Sequence, residues 1–283
     1  MSTQVSEAFV KQFEADVHLA YQQSGSKLKN TVRYKNNVKG SSTVFQKVGK
    51  GSASGKARHG LVPVMSIDHS PVECELHDYY AGDWVDALDE LKLSIDERRV
   101  IANAGAYALG RKTDELIIEA LNKASSANDV GNYTSVLSKK DILDAFAKLN
   151  ENDVPDDGQR FGLVGPHQWN TLLNIPEFSN SDYAGDNLPF LKGTESRKWL
   201  GINWIMHTGL PLGGSSKTER SCFIFHKTAI GHASGQDVKC DISWHGDHAA
   251  HFVNNMMSQG ACLIDDSGIV RIKCKEALSL IHI

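Results

Sequence analysis

No aspartate or glutamate occurs between Val17 and Ile67, although Lys27, Lys29, Arg33, Lys35, Lys39, Lys47, Lys50, Lys56 and Arg58 all fall inside that window. The sign then reverses. From Asp68 to Glu97 the acids Asp68, Glu73, Glu75, Asp78, Asp83, Asp86, Asp89, Glu90, Asp96 and Glu97 face only Lys92. A formal net charge of −4 conceals this asymmetry and gives no global argument for a nucleic-acid partner. Other absences narrow the chemistry. No apolar run approaches the ~20 residues of a membrane-spanning helix, and the N-terminal stretch lacks the basic-then-apolar order of a secretory signal. The five cysteines are scattered without a C-x-x-C pair, which argues against a disulfide framework or a zinc knuckle and predicts buried free thiols in a reducing compartment. There is no G-x-S-x-G elbow to strain a serine nucleophile and no H-E-x-x-H pair to hold zinc. No internal repeat is evident.

The stretch "KGSASGKA" at 50–57 has two of the four fixed positions of a phosphate-binding loop, Gly55 and Lys56. Lys50 stands where the first glycine belongs, and Ala57 replaces the hydroxyl that would hold magnesium. The following "ARHGLVPVMSI" reads as extended rather than helical, so the stretch is a flexible basic tip between two strands.

Around that tip, residues 30–78 alternate polar and apolar positions and read as long strands with little apolar surface of their own. Residues 7–23 carry a loosely helical apolar spacing ahead of them. The strongest element follows. Ser94 with Glu97 forms a capping-box signature, and Ile101, Ala104, Ala108, Leu109, Leu116, Ile117, Ala120 and Leu121 continue an apolar stripe to the "SSAND" stop, interrupted by Gly105 and Gly110. A rod of roughly thirty residues would span a whole domain at ~1.5 Å per residue.

A second capped helix starts at Ser138, with Asp141 completing its signature and Ile142, Leu143, Phe146 and Leu149 on one face. "RFGLVGPHQWNTLLN" reads as strand, turn and short helix with Pro166 at its first position. Residues 175–198 form a polar loop. "GINWIMHTGLP", "SCFIFHKTAIGHA" and "DVKCDISW" supply strands, "DHAAHFVNNMMSQ" a helix and "GIVRIKC" a closing strand. The fold class is α+β.

Three histidines at a spacing of three, His245, His248 and His251, sit beside Asp247 and make the one patch resembling a metal site. On a helix two of them would share a face while the third rotates away, so surface histidines are the better reading and no metal or other cofactor is assigned. Interleaved Tyr34 and Phe45 make the basic window resemble a nucleic-acid arm, but the same pattern suits a hairpin lying on a neighbour. The carboxylates from Asp83 to Glu97 read as a solvated or partner-facing surface.

This order of features resembles the major capsid protein of tailed bacteriophages, a fold shared with encapsulins and herpesvirus shell proteins. The phrases that carry the likeness are "LSIDERRVIANAGAYALGRKTDELIIEAL", "RFGLVGPHQWNTLLNIPEF", "WLGINWIMHTGLP" and "FIFHKTAIGHA" followed by "VKCDISW" and "MMSQGACLIDDSGIVRIKC". The resemblance implies an N-terminal arm (1–30), an extended hairpin loop (31–78), a peripheral domain with its spine helix (79–130), an axial domain (131–225) and a return to the peripheral domain (226–283). It implies a non-enzymatic structural protein. Hexamers and pentamers of it would form an icosahedral virion shell around double-stranded DNA, assembled in the host cytoplasm. Scaffolding, portal and decoration proteins are implied as further partners. No long charged N-terminal extension precedes the arm, so the expected scaffold is a separate protein or none. An encapsulin-like shell enclosing a cargo enzyme is the alternative. The charge reversal supplies a contact for either: Lys47, Lys50, Lys56 and Arg58 are expected to meet acids of an adjacent copy, with Asp83, Asp86, Asp89 and Glu90 as candidates.

Overall fold

The computed structural model describes residues 23, 25–90, 97–175, 178, 197–213 and 218–276. The helical spacing at 7–23, the Ser94 cap, most of the 175–198 loop and the apolar C-terminal tail lie outside the described residues. In chain order the first strand is β1 (Arg33–Lys35), followed by β2 (Ser42–Val48), β3 (His69–Glu75) and β4 (His77–Asp86). Helices α1 (Ala87–Glu90) and α2 (Glu97–Asn122), strand β5 (Asp129–Gly131) and helix α3 (Lys139–Glu151) come next. After them run β6 (Arg160–Val164), α4 (Pro166–Leu173), β7 (Arg197–Trp199), β8 (Ile202–Met206) and β9 (Leu212–Gly213). The chain closes with β10 (Glu219–His226), β11 (Ile230–His245), β12 (Ala250–Leu263) and β13 (Ile269–Lys275).

The chain divides into two units. One gathers 78–112 and 236–258, with the described residues up to Ser26. The other gathers 27–77, 113–235 and 259–276. The larger unit is built on a mixed sheet of order β5-β13-β10-β6-β8-β7, with β9 beside β10. Strand β10 is its centre, antiparallel to both β13 and β6, and Cys222, Phe223, Ile224 and Phe225 on it are fully buried. A strand covered on both faces reads as a continuous apolar run, and "SCFIF" is one. Helix α3 begins as its sequence predicts: Ser138 Oγ accepts from the Asp141 N–H while Asp141 returns a bond to the Ser138 N–H. Its Ile142, Ala145 and Leu149 turn inward, whereas Leu143 is left 41% exposed. Pro166 opens α4 as expected.

The helix expected across "DHAAHFVNNMMSQ" does not exist. Residues 250–263 form β12, in a four-stranded sheet of order β1-β11-β12-β4. Val253, Asn255, Met257 and Gln259 are buried in strict alternation with more exposed neighbours, a period of two that only their mixed polarity hides in the sequence. Strand β11 likewise runs unbroken for 16 residues where two strands are expected. Near its start it takes β1 as a parallel neighbour, Arg33 to Lys35 lying against Gly231 to Ala233. "TVRYK" therefore pairs outside the hairpin proper, which is β2 with β3, Ser42 opposite Glu75 through Val48 opposite His69.

Helix α2 is 26 residues long, about 39 Å at 1.5 Å per residue. Its later half buries Thr113, Asp114, Leu116, Ile117, Ile118, Ala120 and Leu121, nearly its whole circumference. The two glycines that interrupt its stripe are sites of close approach. A Cβ at Gly105 would strike the Asn255 amide and lie 3.1 Å from the Ala81 carbonyl oxygen, and one at Gly110 would lie 2.6 Å from the Gly25 Cα.

Candidate interaction surfaces

The hairpin is anchored at its base by a small apolar cluster of Phe45, Cys74, Leu76, Ala233, Cys262 and Ile264. Phe45 and Cys74 are inward-facing residues of β2 and β3, as the alternation in "TVFQKV" and "PVECELHDY" predicts. Close fit is enforced by glycine: a side chain on Gly260 would collide with the Glu75 carbonyl, and a Cβ on Gly231 would lie 2.8 Å from the Phe45 ring. A hydrogen bond from Cys262 pulls the Cys74 thiol below its ordinary pKa, while that shared bond and burial push Cys262 up. Cys222 and Cys274, 4.0 Å apart, are also buried, and Cys240 is the exposed exception to the expectation of buried thiols.

Charge continues the anchoring. Lys35 donates to Thr43 Oγ1 at 2.6 Å, and Arg33 lies over the Phe45 ring at 5.6 Å. Lys47 pairs with Asp265 at 2.9 Å. Burial raises the Asp265 carboxyl, but the Lys47 ammonium and the hydroxyl and N–H of Ser267 outweigh it and hold the group below the usual carboxylate range. Lys50 meets Asp153 at 2.7 Å and keeps that carboxyl low by the same means. Two of the four basic candidates therefore already have acids of their own chain, neither of which belongs to the 68–97 segment.

Gly49 N–H bonds the Asp68 carbonyl and Lys50 also donates to the Asn152 carbonyl at 3.3 Å; beyond Lys50 the tip's backbone bond among the described residues is the local one from Gly60 N–H to the Ala57 carbonyl. Lys56 and Arg58 are exposed and have no hydrogen-bonded or ionic partner among the described residues. The arm is not as short of apolar surface as its alternation suggests. Leu61 (96% exposed), Val62, Val64 and Met65 stand open in one run. "GLVPVMSI" was legible as an apolar extended stretch; its exposure was not.

Of the acidic candidates, Asp83 and Asp86 fall at the end of β4 and Asp89 and Glu90 on α1. Asp83 accepts the N–H of Trp84, and Asp86 accepts that of Leu88 at 2.8 Å. The side chains of Asp89 and Glu90 lie outside the described residues. Between Asp83 and Asp86, Trp84 is half exposed and ringed by His248 (4.6 Å between centroids), Phe252 (4.7 Å) and His245 (5.1 Å). His245 ends β11, His248 sits in the turn after it and His251 lies on β12 against Trp244 at 4.9 Å. The three do not share a helix face, and among the described residues no group of three or more His, Cys, Asp or Glu converges as metal ligands would.

Sequence reasoning missed a buried polar lock on α2. The Asp114 carboxylate accepts the backbone N–H groups of Lys27 and Leu28 at 3.0 Å, so the start of the described chain is fastened to the helix. His207 Nδ1 accepts from the Gly209 N–H, which leaves Nε2–H to donate to Asp114 at 3.0 Å. An aspartate inside the stripe of Gly110, Ile117 and Leu121 was the available signal. A second lock, the fork of Arg220 on Glu276 at 2.9 and 3.0 Å, also receives Gln168. Burial raises Glu276, and Arg220 with Gln168 more than reverses it.

The comparisons agree with this architecture. The capsid of the cyanophage P-SCSP1u is similar over 98% of this chain and 96% of its own, with 17% identity and a TM-score of 0.72. Mycobacterium phage Che8 (18% identity, 93% and 97% covered, TM-score 0.71) and the capsid of Ralstonia phage GP4 (12%, 95% and 96%, 0.71) are similar in the same way. At such identities the likeness shows the fold alone. No curated protein matches. The model of the phage capsid protein family, however, matches residues 5–276, and the chain accordingly belongs to that family.

Proposed function

We propose that identical copies of this chain assemble through hexamers and pentamers into the icosahedral shell of a tailed bacteriophage, enclosing double-stranded DNA. A structural role in a phage capsid follows from the family. The finer reading rests on the hairpin, whose tip carries exposed Leu61, Val62, Val64 and Met65 together with Lys56 and Arg58, which have no partner among the described residues. Contiguous exposed apolar surface of this kind marks an interaction site. Ordering an arm costs ~1–2 kcal/mol per residue of backbone, which a neighbour's surface offsets. In this reading 31–78 reaches over an adjacent copy, 79–130 and 226–283 form the peripheral domain and 131–225 the axial domain. Assembly takes place in the host cytoplasm, with portal, scaffolding and decoration proteins as further partners. The test is negative-stain imaging of the expressed protein. Closed shells of uniform size are expected, and virions should hold the chain around DNA. Persistent monomers at high concentration, or shells filled with an enzyme, would overturn the reading.

A further inference from the structure

We propose that the cleft beside Trp84 is a receptor for a basic side chain of a second copy, and that Arg58 of the hairpin tip is the side chain it takes. The inference rests on the shell reading above. The cleft, about 280 Å³, is lined by Trp84, Asp86, Glu97, His248 and Ala250. That is at or below the ~300–1,000 Å³ of small-molecule sites and suits a single side chain. Its chemistry selects a cation. Among the described residues Asp86 is engaged only by the Leu88 N–H, and neither it nor Glu97 has an ion-pair partner there. Two carboxylates without counter-charges disfavour an anion or a purely apolar ligand.

The indole adds a face. Trp is the best of the aromatic rings at holding a cation, and its position here is fixed in advance by His245, His248 and Phe252, so little ordering is left to the moment of binding. A planar guanidinium stacks on such a ring while its fork reaches a carboxylate, which an ammonium does less well. The chain itself offers the ligand. Lys47 near the end of β2 and Lys50 at the start of the tip are paired with acids of their own chain, whereas Arg58 is exposed and has no partner among the described residues.

The test is a charge-exchange cycle on the full chain, read as the protein concentration at which closed particles appear. Arg58→Glu and Asp86→Arg should each raise that concentration by about tenfold or more. The double variant should return it to near the wild-type value, and Trp84→Phe should be milder than Trp84→Ala. Circular dichroism identifies any variant that fails to fold; Asp86→Asn then replaces the reversal. A second measurement separates contact between copies from contact within one: with Cys240→Ser as background, Arg58→Cys with Asp86→Cys should give covalent oligomers on a non-reducing gel of oxidised particles. Single variants that assemble normally, a double variant no better than its worse parent, or monomers alone on that gel would overturn the receptor while wild-type shells left the capsid reading standing. Absence of wild-type shells would overturn both.

Discussion

Asp114 illustrates how one carboxylate can hold a chain segment in place. The buried carboxylate accepts two consecutive backbone N–H groups and the His207 ring N–H, three bonds at 3.0 Å. Asparagine is nearly isosteric but turns an acceptor into a donor, leaving a buried N–H without its partner. Asp114→Asn should therefore cost ~1–3 kcal/mol, seen as a lower urea midpoint with an unchanged slope. Glu276 and Asp265 make a pH prediction. Both are held below their unfolded values, so their stabilisation is complete above the unfolded carboxylate range and is lost as pH falls through the folded values. The denaturation midpoint should drop below about pH 4. Glu276→Gln, which strands Arg220 in a buried site, should lose roughly 3 kcal/mol at neutral pH and show a shallower acid dependence. Asp114 was half visible in the sequence, as a charge where a core residue belongs. The Arg220–Glu276 pair was not, because 56 residues separate its members and no local pattern connects them.

Elements with a local cause were the ones the sequence specified well. The Ser138–Asp141 box starts α3, Pro166 starts α4, and the unbroken apolar run of β10 marks a strand covered on both faces. Strand β12 failed for a physical reason: its inward positions include the polar Asn255 and Gln259, which break the apolar alternation; Gln259 Oε1 accepts from Thr113 and His232, whereas Asn255 donates to the Ala81 carbonyl at 3.4 Å and its Oδ1 has no hydrogen-bond partner among the described residues. The long helix was legible in its stripe, yet its glycines were misjudged as interruptions. At the hairpin base the controlling residue is again a glycine. Gly260→Ala should force a methyl group against the Glu75 carbonyl and cost ~1–3 kcal/mol. Amide exchange should accelerate in β3 and leave α3 unchanged; equal acceleration in both would refute a local effect at the base.

For the whole molecule, the order of elements carried the family: a hairpin, a spine-length helix and a mixed sheet follow one another as the resemblance implies. What the order could not supply was which side chains meet. Charge counting alone made four basic residues equivalent, whereas the fold commits Lys47 and Lys50 to their own chain and leaves Lys56 and Arg58 at the tip. Nor did alternation reveal that the tip is apolar as well as basic. Replacing Leu61 and Val64 by serine should leave thermal stability within about 0.5 kcal/mol, since both side chains are already in water. Particle yield should nevertheless fall sharply on sedimentation, and an undiminished yield would remove the apolar part of the tip from the contact.

If Arg58 of one copy fills the Trp84 cleft of the next, each molecule is at once plug and socket. Two molecules joined this way still leave one plug and one socket over, and so does any open row, however long. Only a circuit that returns to its first member leaves none, so on this contact a closed ring would take no further member, and joining rings into a shell would fall to other surfaces.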